Sequence, residues 1–364
     1  RRTWMTTTMG IAALGRAEQS TVQRRIIVRA DGARKVRFLS PDMPEPVDMN
    51  PTAPGTFEAH LTLDVRPNRY RYRLEVDGKE QADGANPLMV ANGGKLESGN
   101  LLWHPEPLHQ DWLQNRIPRG QLQRMVIRCS HPRPHDCQVW SHVPAGYEGR
   151  TKGSPALYLL HAGGGSGLGF AQGMAATEVA DWLISQRRVR PFVLVMPDRE
   201  VPPGYSTPGP REASRDEWVK GHIQRVGENA KSLREEIIPV IEKRYRLLAE
   251  WRGRAFAGVS GGGTAALLIE AQTSGYAHLI SAAVNHNSLM NELFFREMDR
   301  RPARASRPKV IAIAGENDSF KNVEFTREFA RLAQERGMLQ ELTIHNFGHS
   351  GGPRFLVQAM EAAY

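Results

Sequence analysis

A G-x-S-x-G pattern at residues 258–262 constrains the fold of this chain more than any other feature. The apolar run 254–257 before the pattern predicts a short buried strand, and the run 264–270 after it predicts a helix. A tight turn from strand to helix holds its central residue, Ser260, in a strained backbone conformation. Side chains two residues before or after that serine would collide, and glycine avoids the collision. In this context the pattern predicts a nucleophile elbow.

Alternating strands and helices are predicted throughout residues 121–364. Continuous apolar runs are typical of parallel strands buried on both faces, and the amphipathic segments between them indicate helices. The predicted strands cover 156–160, 192–196, 310–314 and 342–344, and the predicted helices cover 176–186, 229–245 and 323–336. This alternation predicts a doubly wound, mostly parallel α/β sheet, the arrangement of the α/β-hydrolase fold.

The first part of the chain follows a different pattern. Residues 25–104 contain short segments that alternate apolar and polar residues and are bounded by Pro, Gly, Asn or Asp, which predicts a small all-β sandwich. The predicted strands cover 26–28, 35–39, 56–63 and 70–76. The proline-containing stretch 105–120 predicts a linker to the domain at 121–364, and residues 1–24 form an N-terminal segment without a predicted structure.

Composition and charge bear on the number of domains and argue against nucleic-acid and membrane partners. The chain has 364 residues, of which 40% are hydrophobic and 24% charged, and this size predicts two domains. The net charge is +9, but the basic residues are scattered and no arginine-rich helix with interleaved aromatic residues occurs, so we expect no nucleic-acid partner. No apolar stretch approaches the about twenty residues that span a bilayer, so we expect no membrane partner either.

The region after Ser260 contains candidates for a catalytic acid. A serine hydroxyl becomes a nucleophile when a base removes its proton, and an acid must orient that base. In the predicted fold the order along the chain is serine, acid, histidine, and the acid follows a strand. Asp318 follows the predicted strand 310–314 and is therefore the predicted acid, with Glu316 in the same turn as the alternative. An ordinary turn carboxylate would also fit this position.

Two histidines near the C-terminus are candidates for the base. His345 continues the predicted strand 342–344, whereas His349 lies in a glycine-flanked loop beyond that strand. The base of this fold belongs in the loop after the final strand. We therefore expect His349 to be the base, with an ordinary surface histidine as the alternative interpretation.

Two glycines are candidates for an oxyanion hole, which needs two backbone N–H donors. Gly261 directly follows the serine, and Gly163 lies in the H-A-G-G-G loop after the predicted strand 156–160. Neither a Gly-Lys-Ser/Thr nor a G-x-G-x-x-G pattern follows that loop, so phosphate binding is not predicted. A serine, a base and an acid need no cofactor for this chemistry, and we expect none.

Cys129 and Cys137 are the two cysteines of the chain, and they flank a turn-like segment. The segments 123–128 and 138–143 alternate like strands, so a hairpin would bring the cysteines within disulfide distance. A disulfide would favour an oxidising compartment and thus a secreted or periplasmic protein. Two free thiols, compatible with the cytoplasm, are the alternative. The histidines of the turn form no recognised zinc spacing with the cysteines, so we expect no metal.

Several of these segments together resemble a known family. They cover 143–147, 156–165, 195–198, 235–245, 254–263 and 348–349. They resemble the esterase D-like branch of α/β-hydrolases, which includes feruloyl esterases, enterochelin esterases, S-formylglutathione hydrolases and mycolyltransferases. The stretch 72–78, with Asp83 and 86–87, is similar to the early-set, immunoglobulin-like module that precedes some of these esterases. Gly261 departs from the family, which commonly has methionine there.

The resemblance implies a carboxylic ester hydrolase that works through an acyl-enzyme. It implies feruloyl or acetyl esters of plant polysaccharide as substrates, either as small molecules or linked to the polymer. A siderophore trilactone is the alternative substrate, and the positive charge of the chain suits that anion. A non-catalytic binding protein on the same fold is the alternative of another class. We expect the immunoglobulin-like module to shape the pocket, with carbohydrate binding by this module as the alternative. Candidate substrate contacts, for which a structural role is the alternative, are Arg199, Trp218, Asn285 and His286.

Overall fold

The computed structural model describes most of the chain from residue 21 to residue 364. The described part excludes residues 65–67, 85, 87–88, 93–94, 105–116, 132, 148–152, 163–164, 199–214, 251–252, 274–277, 283–287, 303–306, 317, 319–321 and 346–351, in addition to 1–20. Among the described residues, no helix combines the length and the apolar character needed to cross a membrane.

The N-terminal part is an antiparallel sheet. Its strands are β1 (Thr21–Arg29), β2 (Val36–Leu39), β3 (Val47–Ala53), β4 (Thr56–Asp64), β5 (Asn68–Val76), β6 (Lys79–Gln81), β7 (Met89–Asn92) and β8 (Lys95–His104). They are ordered β1-β4-β3-β2-β5-β8-β7, with β6 paired to β5. On β4 every second residue from Phe57 to Leu63 is buried, because successive side chains of a strand point to opposite faces.

The strands that the sequence predicts in this part are β1, β2, β4 and β5, and all four are present. The sequence did not predict β3, β6, β7 or β8. On β3 the proline Pro51 obscures the strand pattern, and the structure has an irregular register between Pro51 and Ala53 at this point. The immunoglobulin-like sandwich stays a prediction.

The C-terminal part is a mixed sheet flanked by helices. Its strands are β9 (Gln121–Cys129), β10 (His135–Val143), β11 (Ala156–Leu160), β12 (Val193–Pro197), β13 (Arg254–Val259), β14 (His278–Ala282), β15 (Lys309–Gly315) and β16 (Leu339–His345). Its helices are α1 (Ala176–Ser185), α2 (Arg215–Ser232), α3 (Ile238–Arg244), α4 (Gly261–Thr273), α5 (Ser288–Arg300), α6 (Val323–Glu335) and α7 (Gly352–Ala363). Two π-helical turns, Gly169–Gly173 and Leu233–Ile237, complete the described elements.

The order of the C-terminal sheet is β16-β15-β14-β13-β11-β12-β10-β9. The strands from β11 to β16 pair in parallel, and the β9–β10 hairpin is antiparallel at one edge. Apolar side chains fill both faces: Tyr158 of β11 belongs to one core cluster, and its neighbours Leu157 and Leu159 belong to the other. The predicted doubly wound sheet with helices on both faces is therefore present.

The helix predicted at 229–245 differs from the structure in its start and in its continuity. The helical segment begins earlier, at Arg215, and is interrupted by the π-helical turn Leu233–Ile237 before α3 begins. Pro239 lies in the first turn of α3. A proline lacks an N–H and clashes with the preceding turn of a regular helix, so the wider π turn fits the chain around it. Periodicity alone does not reveal such a local change of helical pitch.

Within the described part of the chain, the N-terminal sheet contacts a π-helical turn of the C-terminal part. Strand β7 contacts the π-helical turn Gly169–Gly173. Leu101 of β8 is buried in the same apolar cluster as Phe170 of that turn. The N-terminal sheet thus packs on the stretch of chain that follows strand β11.

A buried ion pair fixes the far end of helix α4. Arg301 donates to the Glu270 carboxylate at 2.8 Å, and the two side chains are 6% and 1% exposed. Replacing one partner leaves the other charge buried without its counter-charge, so Arg301→Met should lower the free energy of unfolding by about 3–5 kcal/mol. Urea denaturation measures this change. Arg331→Met is the matched control, because its pairs on α6 are exposed, and it should change the stability little. Equal effects of the two substitutions on the free energy of unfolding would contradict a special contribution of the buried ion pair.

Candidate active site

Ser260 lies between strand β13 and helix α4, at the carboxyl edge of the parallel strands. Its φ angle is 54°, which side-chain-bearing residues rarely adopt, and its side chain is buried. The N–H of Thr264 donates to the Ser260 carbonyl at 3.1 Å, so the first turn of α4 begins at the serine. The positive end of the helix dipole therefore lies beside the serine, where negative charge would be stabilised.

The two flanking glycines are required by close backbone contacts. A Cβ atom on Gly258 would lie 2.3 Å from the carbonyl carbon of Gly262. A Cβ atom on Gly262 would lie 1.9 Å from the carbonyl oxygen of Leu160, the last residue of β11. The turn therefore admits no side chain at either position, which is the collision that the sequence pattern predicts. The second contact also places the loop after β11 directly beside the elbow.

The loop after β11 is fastened to the end of β12. The N–H of Gly167 donates to the Asp198 carboxylate at 2.5 Å, and Asp198 is buried. A Cβ atom on Gly167 would lie 2.1 Å from the Met196 carbonyl oxygen, so the two segments touch along their backbones. Ser166 adds a hydrogen bond from the N–H of Gly169 at 3.0 Å. The described part of the loop that leads from β11 to the first π turn is thus held on the elbow side of the sheet.

No functional role was predicted for Asp198 from the sequence. Its signal is present in the sequence: a carboxylate stands immediately after the buried strand β12. Its partner is the N–H of Gly167, 31 residues earlier in the chain. The sequence alone does not reveal this contact, because it depends on the pairing of β11 with β12.

The two candidate acids in the turn after β15 differ in burial. Asp318 is buried, and its carboxylate accepts a hydrogen bond from Asn322 Nδ2 at 3.2 Å. Asn322 is itself buried and precedes helix α6, whose Thr326 donates its N–H to the Asn322 carbonyl at 2.9 Å. Glu316, by contrast, is exposed. The structure therefore holds Asp318 in place from inside the fold and leaves Glu316 at the surface.

The two candidate histidines differ in what the structure describes. His345 is the last residue of β16, as predicted, and its Nε2 lies 3.3 Å from Gln358 Oε1 on α7. His349 lies outside the described residues. The loop that contains it begins beside the acid turn, because the N–H of Glu316 donates to the His345 carbonyl at 2.7 Å.

Of the remaining predicted site residues, the structure describes only some. Gly261 begins α4, and its backbone follows Ser260 directly. Gly163, Arg199, Asn285 and His286 lie outside the described residues. Trp218 lies on α2, and its side chain is outside the described part of the structure.

Cys129 and Cys137 lie at the same edge of the sheet as the elbow. Their sulfur atoms form a disulfide in the structure, and their Cα atoms are 6.1 Å apart. They are at the turn end of the β9–β10 hairpin, and β10 runs antiparallel to β12. The N–H of Asp198 donates to the carbonyl of Gln138, next to Cys137, at 2.8 Å. The hairpin turn is therefore adjacent to the segment that fastens the loop after β11.

Comparison with known proteins identifies the family of this chain. The model of the Esterase family matches residues 130–336, more than half of the chain. An esterase of Mycobacterium tuberculosis is 32% identical over 143 residues, which are 39% of this chain but only 27% of that protein's length.

Two solved structures show the same fold at low sequence identity. The enterobactin esterase of Shigella flexneri aligns with a TM-score of 0.58 and 14% identity, over 96% of this chain and 94% of that chain. A ferulic acid esterase of Anaeromyces mucronatus aligns with a TM-score of 0.55 and 16% identity, over 68% of this chain and 92% of that chain. Because the family model matches residues 130–336, more than half of the chain, this chain belongs to the Esterase family.

Proposed function

We propose that this protein is a serine carboxylic ester hydrolase with Ser260 as nucleophile, His349 as general base and Asp318 as the orienting acid. The observation that carries the proposal is the elbow itself. Ser260 is held at a φ of 54° between β13 and α4, with glycines at both positions where a side chain would collide. Strained backbone conformations cluster at functional sites, and here the strain coincides with two glycines that admit no side chain and with the start of a helix.

The proposed mechanism follows from the chemistry of these groups. His349 removes the proton from the Ser260 hydroxyl as its oxygen attacks the ester carbonyl, and then returns the proton to the departing alcohol. Water next attacks the acyl-enzyme with the same base, which releases the acid and restores the serine. Asp318 orients the imidazole, and its own bond to Asn322 keeps that carboxylate in one position.

The negative charge of each tetrahedral intermediate needs donors that are already in place. We assign them to the backbone N–H groups of Gly261 and Gly163. The first belongs to the start of α4, beside the serine. The second lies in the loop after β11, whose neighbouring residues are fastened by Asp198 and Ser166. The contact of Gly262 with Leu160, the last residue of β11, supports this assignment because it holds the start of that loop beside the start of α4.

For the substrate, we propose feruloyl or acetyl esters of plant polysaccharide. A siderophore trilactone is a second candidate, and one observation favours it: the enterobactin esterase aligns over nearly the whole chain, whereas the ferulic acid esterase aligns over 68%. The net charge of +9 would also attract an anionic trilactone. Comparing kcat/KM for methyl ferulate and for an enterobactin-type trilactone separates the two. A preference of at least about 100-fold for one of them, near 2.7 kcal/mol of transition-state binding, would identify the class.

Ser260→Ala should abolish hydrolysis of p-nitrophenyl acetate and leave the fold intact. Loss of a triad residue lowers kcat by about 10⁴-fold or more, whereas an alanine here removes only one hydroxyl group. The assay is steady-state hydrolysis, with thermal unfolding as the control for folding. A variant that keeps more than a few per cent of the wild-type kcat would exclude the nucleophile role of Ser260, whereas absence of turnover by the wild-type protein would favour a non-catalytic binding protein.

His349→Ala should reduce kcat about as much as Ser260→Ala, and the double variant should lose little more, because the two groups act as one unit. The matched control is His345→Ala, which removes a ring held by Gln358 and should keep most of the activity. A neutral imidazole is needed, and its ordinary pKa is about 6.5, so kcat/KM should rise through about pH 6–7 and then level. An inactive His345→Ala beside an active His349→Ala would show that the base has been misassigned.

Asp318→Asn should lower kcat by somewhat less than the loss of the serine or histidine, since the oxyanion donors and the base remain. Glu316→Gln is the matched control and should be nearly silent, because that side chain is exposed. If Glu316→Gln were the more damaging change, the acid would be Glu316 and the other roles would stand.

Asp198→Ala should lower kcat without raising KM, because it releases the loop that carries the proposed Gly163 donor. The loss of one oxyanion donor lowers kcat by about 10²–10³-fold, and a loosened donor should lower it by about 10-fold or more. Asp136→Ala, which removes an exposed carboxylate paired with Arg128, is the control. Equal kcat values for the two variants would show that Asp198 does not position the loop.

A further inference from the structure

The turn of the β9–β10 hairpin brings three metal-binding side chains together. Cys129 lies directly across the hairpin from His135, and Cys137 follows two residues later on the same strand and therefore on the same face. The two sulfur atoms and a ring nitrogen of His135 all lie within 4.8 Å of one another. Both cysteines are buried and His135 is partly buried, so the group lies on the face of the hairpin that packs against the core rather than on the solvent face.

The hydrogen bond of His135 orients its ring toward the sulfur atoms. Nδ1 lies 2.7 Å from the Arg133 carbonyl oxygen, which can only accept, so Nδ1 carries the proton. Nε2 then presents its lone pair, and it lies 3.2 Å from Cys137 Sγ. A histidine that binds a metal ion commonly has this arrangement, with one ring nitrogen donating to a carbonyl and the other free for the ion.

The surroundings hold the hairpin turn and place a negative charge beside it. Glu236, in the π turn Leu233–Ile237, accepts hydrogen bonds from the Ser130 N–H at 2.8 Å and from Ser232 Oγ at 2.8 Å. Ser232 Oγ lies 3.9 Å from Cys137 Sγ. Burial alone would raise the pKa of Glu236, but these bonds outweigh it and lower that pKa. The hairpin is thus tied to the helix beside it independently of the disulfide.

We propose that Cys129, His135 and Cys137 form a binding site for a thiophilic divalent cation such as Zn²⁺ when the disulfide is reduced. Two thiolates and one neutral imidazole are ligands that zinc prefers, and water can fill a fourth position. The disulfide and the metal site are alternative states of the same residues. An oxidising environment favours the first, and a reducing environment with available zinc favours the second.

The chemistry of the exchange balances with a phosphine as reductant. The disulfide, one phosphine and one water give two thiols and one phosphine oxide, so the sulfur atoms gain two electrons and two protons. Binding of the cation then releases the two thiol protons as the sulfur atoms become thiolate ligands. The imidazole binds through Nε2 and keeps its proton on Nδ1.

The spacing in the sequence hides this site. The order cysteine, five residues, histidine, one residue, cysteine is not a recognised zinc pattern, and on that ground the sequence predicts no metal. The strand register, which sets Cys129 opposite His135, adds the histidine to the two cysteines that the predicted hairpin already brings together.

The test uses the full chain, reduced with a phosphine and then kept free of oxygen. Titration with Cd²⁺ should give a thiolate-to-metal charge-transfer absorption that saturates at one ion per chain. An excess of Zn²⁺ should displace the bound Cd²⁺ and remove this absorption. The oxidised chain is the internal control and should give no such absorption, because its sulfur atoms are bonded to each other. An equal response of the oxidised and reduced chains would overturn the proposal.

Single variants assign the ligands. Cys129→Ser should abolish the charge-transfer band at one equivalent, and His135→Ala should weaken Cd²⁺ binding by more than about 100-fold. Loss of a residue that only supports a ligand costs about 10- to 100-fold, so the larger effect identifies a ligand. His131→Ala is the matched control, since this histidine of the same turn lies 3.7 Å from Glu235 and outside the three-residue group. His135→Ala folds with both cysteines present, so wild-type affinity in that variant would overturn the site.

Discussion

The contact between Gly262 and the end of strand β11 is the constraint on which the candidate site depends. The two backbones approach so closely that a single Cβ atom would overlap the Leu160 carbonyl. This approach holds the turn that carries Ser260 against the last residue of β11, where the following loop begins. Stabilising an oxyanion depends on donors that need no rearrangement during the reaction, and a backbone contact provides that rigidity better than flexible side chains would.

Buried polar contacts hold the other parts of the site relative to this elbow. Asp198 fastens the loop after β11, and Arg301 fixes the far end of α4 through Glu270. Asn322 holds Asp318 and at the same time begins the hydrogen bonding of helix α6. Each of these groups is buried, so the loss of its partner would leave an unsatisfied polar atom away from water. The site is therefore coupled to the stability of the sheet edge.

The sequence predicted the elements whose signals are local. Ser260 and its glycines, the buried strands and the cysteine hairpin each follow from neighbouring residues. Features that depend on contacts between distant segments were not predicted, such as the bond from Gly167 to Asp198 and the burial difference between Asp318 and Glu316. The π turn before Pro239 was missed because periodicity does not reveal a local change of helical pitch, and strand β3 was missed because Pro51 obscures its strand pattern.

The segment between β11 and α1 links the two parts of the chain to the proposed chemistry. On one side Asp198 holds Gly167, and on the other the π turn Gly169–Gly173 contacts strand β7 and shares a buried cluster with Leu101 of β8. A close-packed interior transmits small displacements rather than absorbing them. We therefore expect a change of packing in the N-terminal sheet to be transmitted through Leu101 and Phe170 to the described end of the loop after β11, at Gly167.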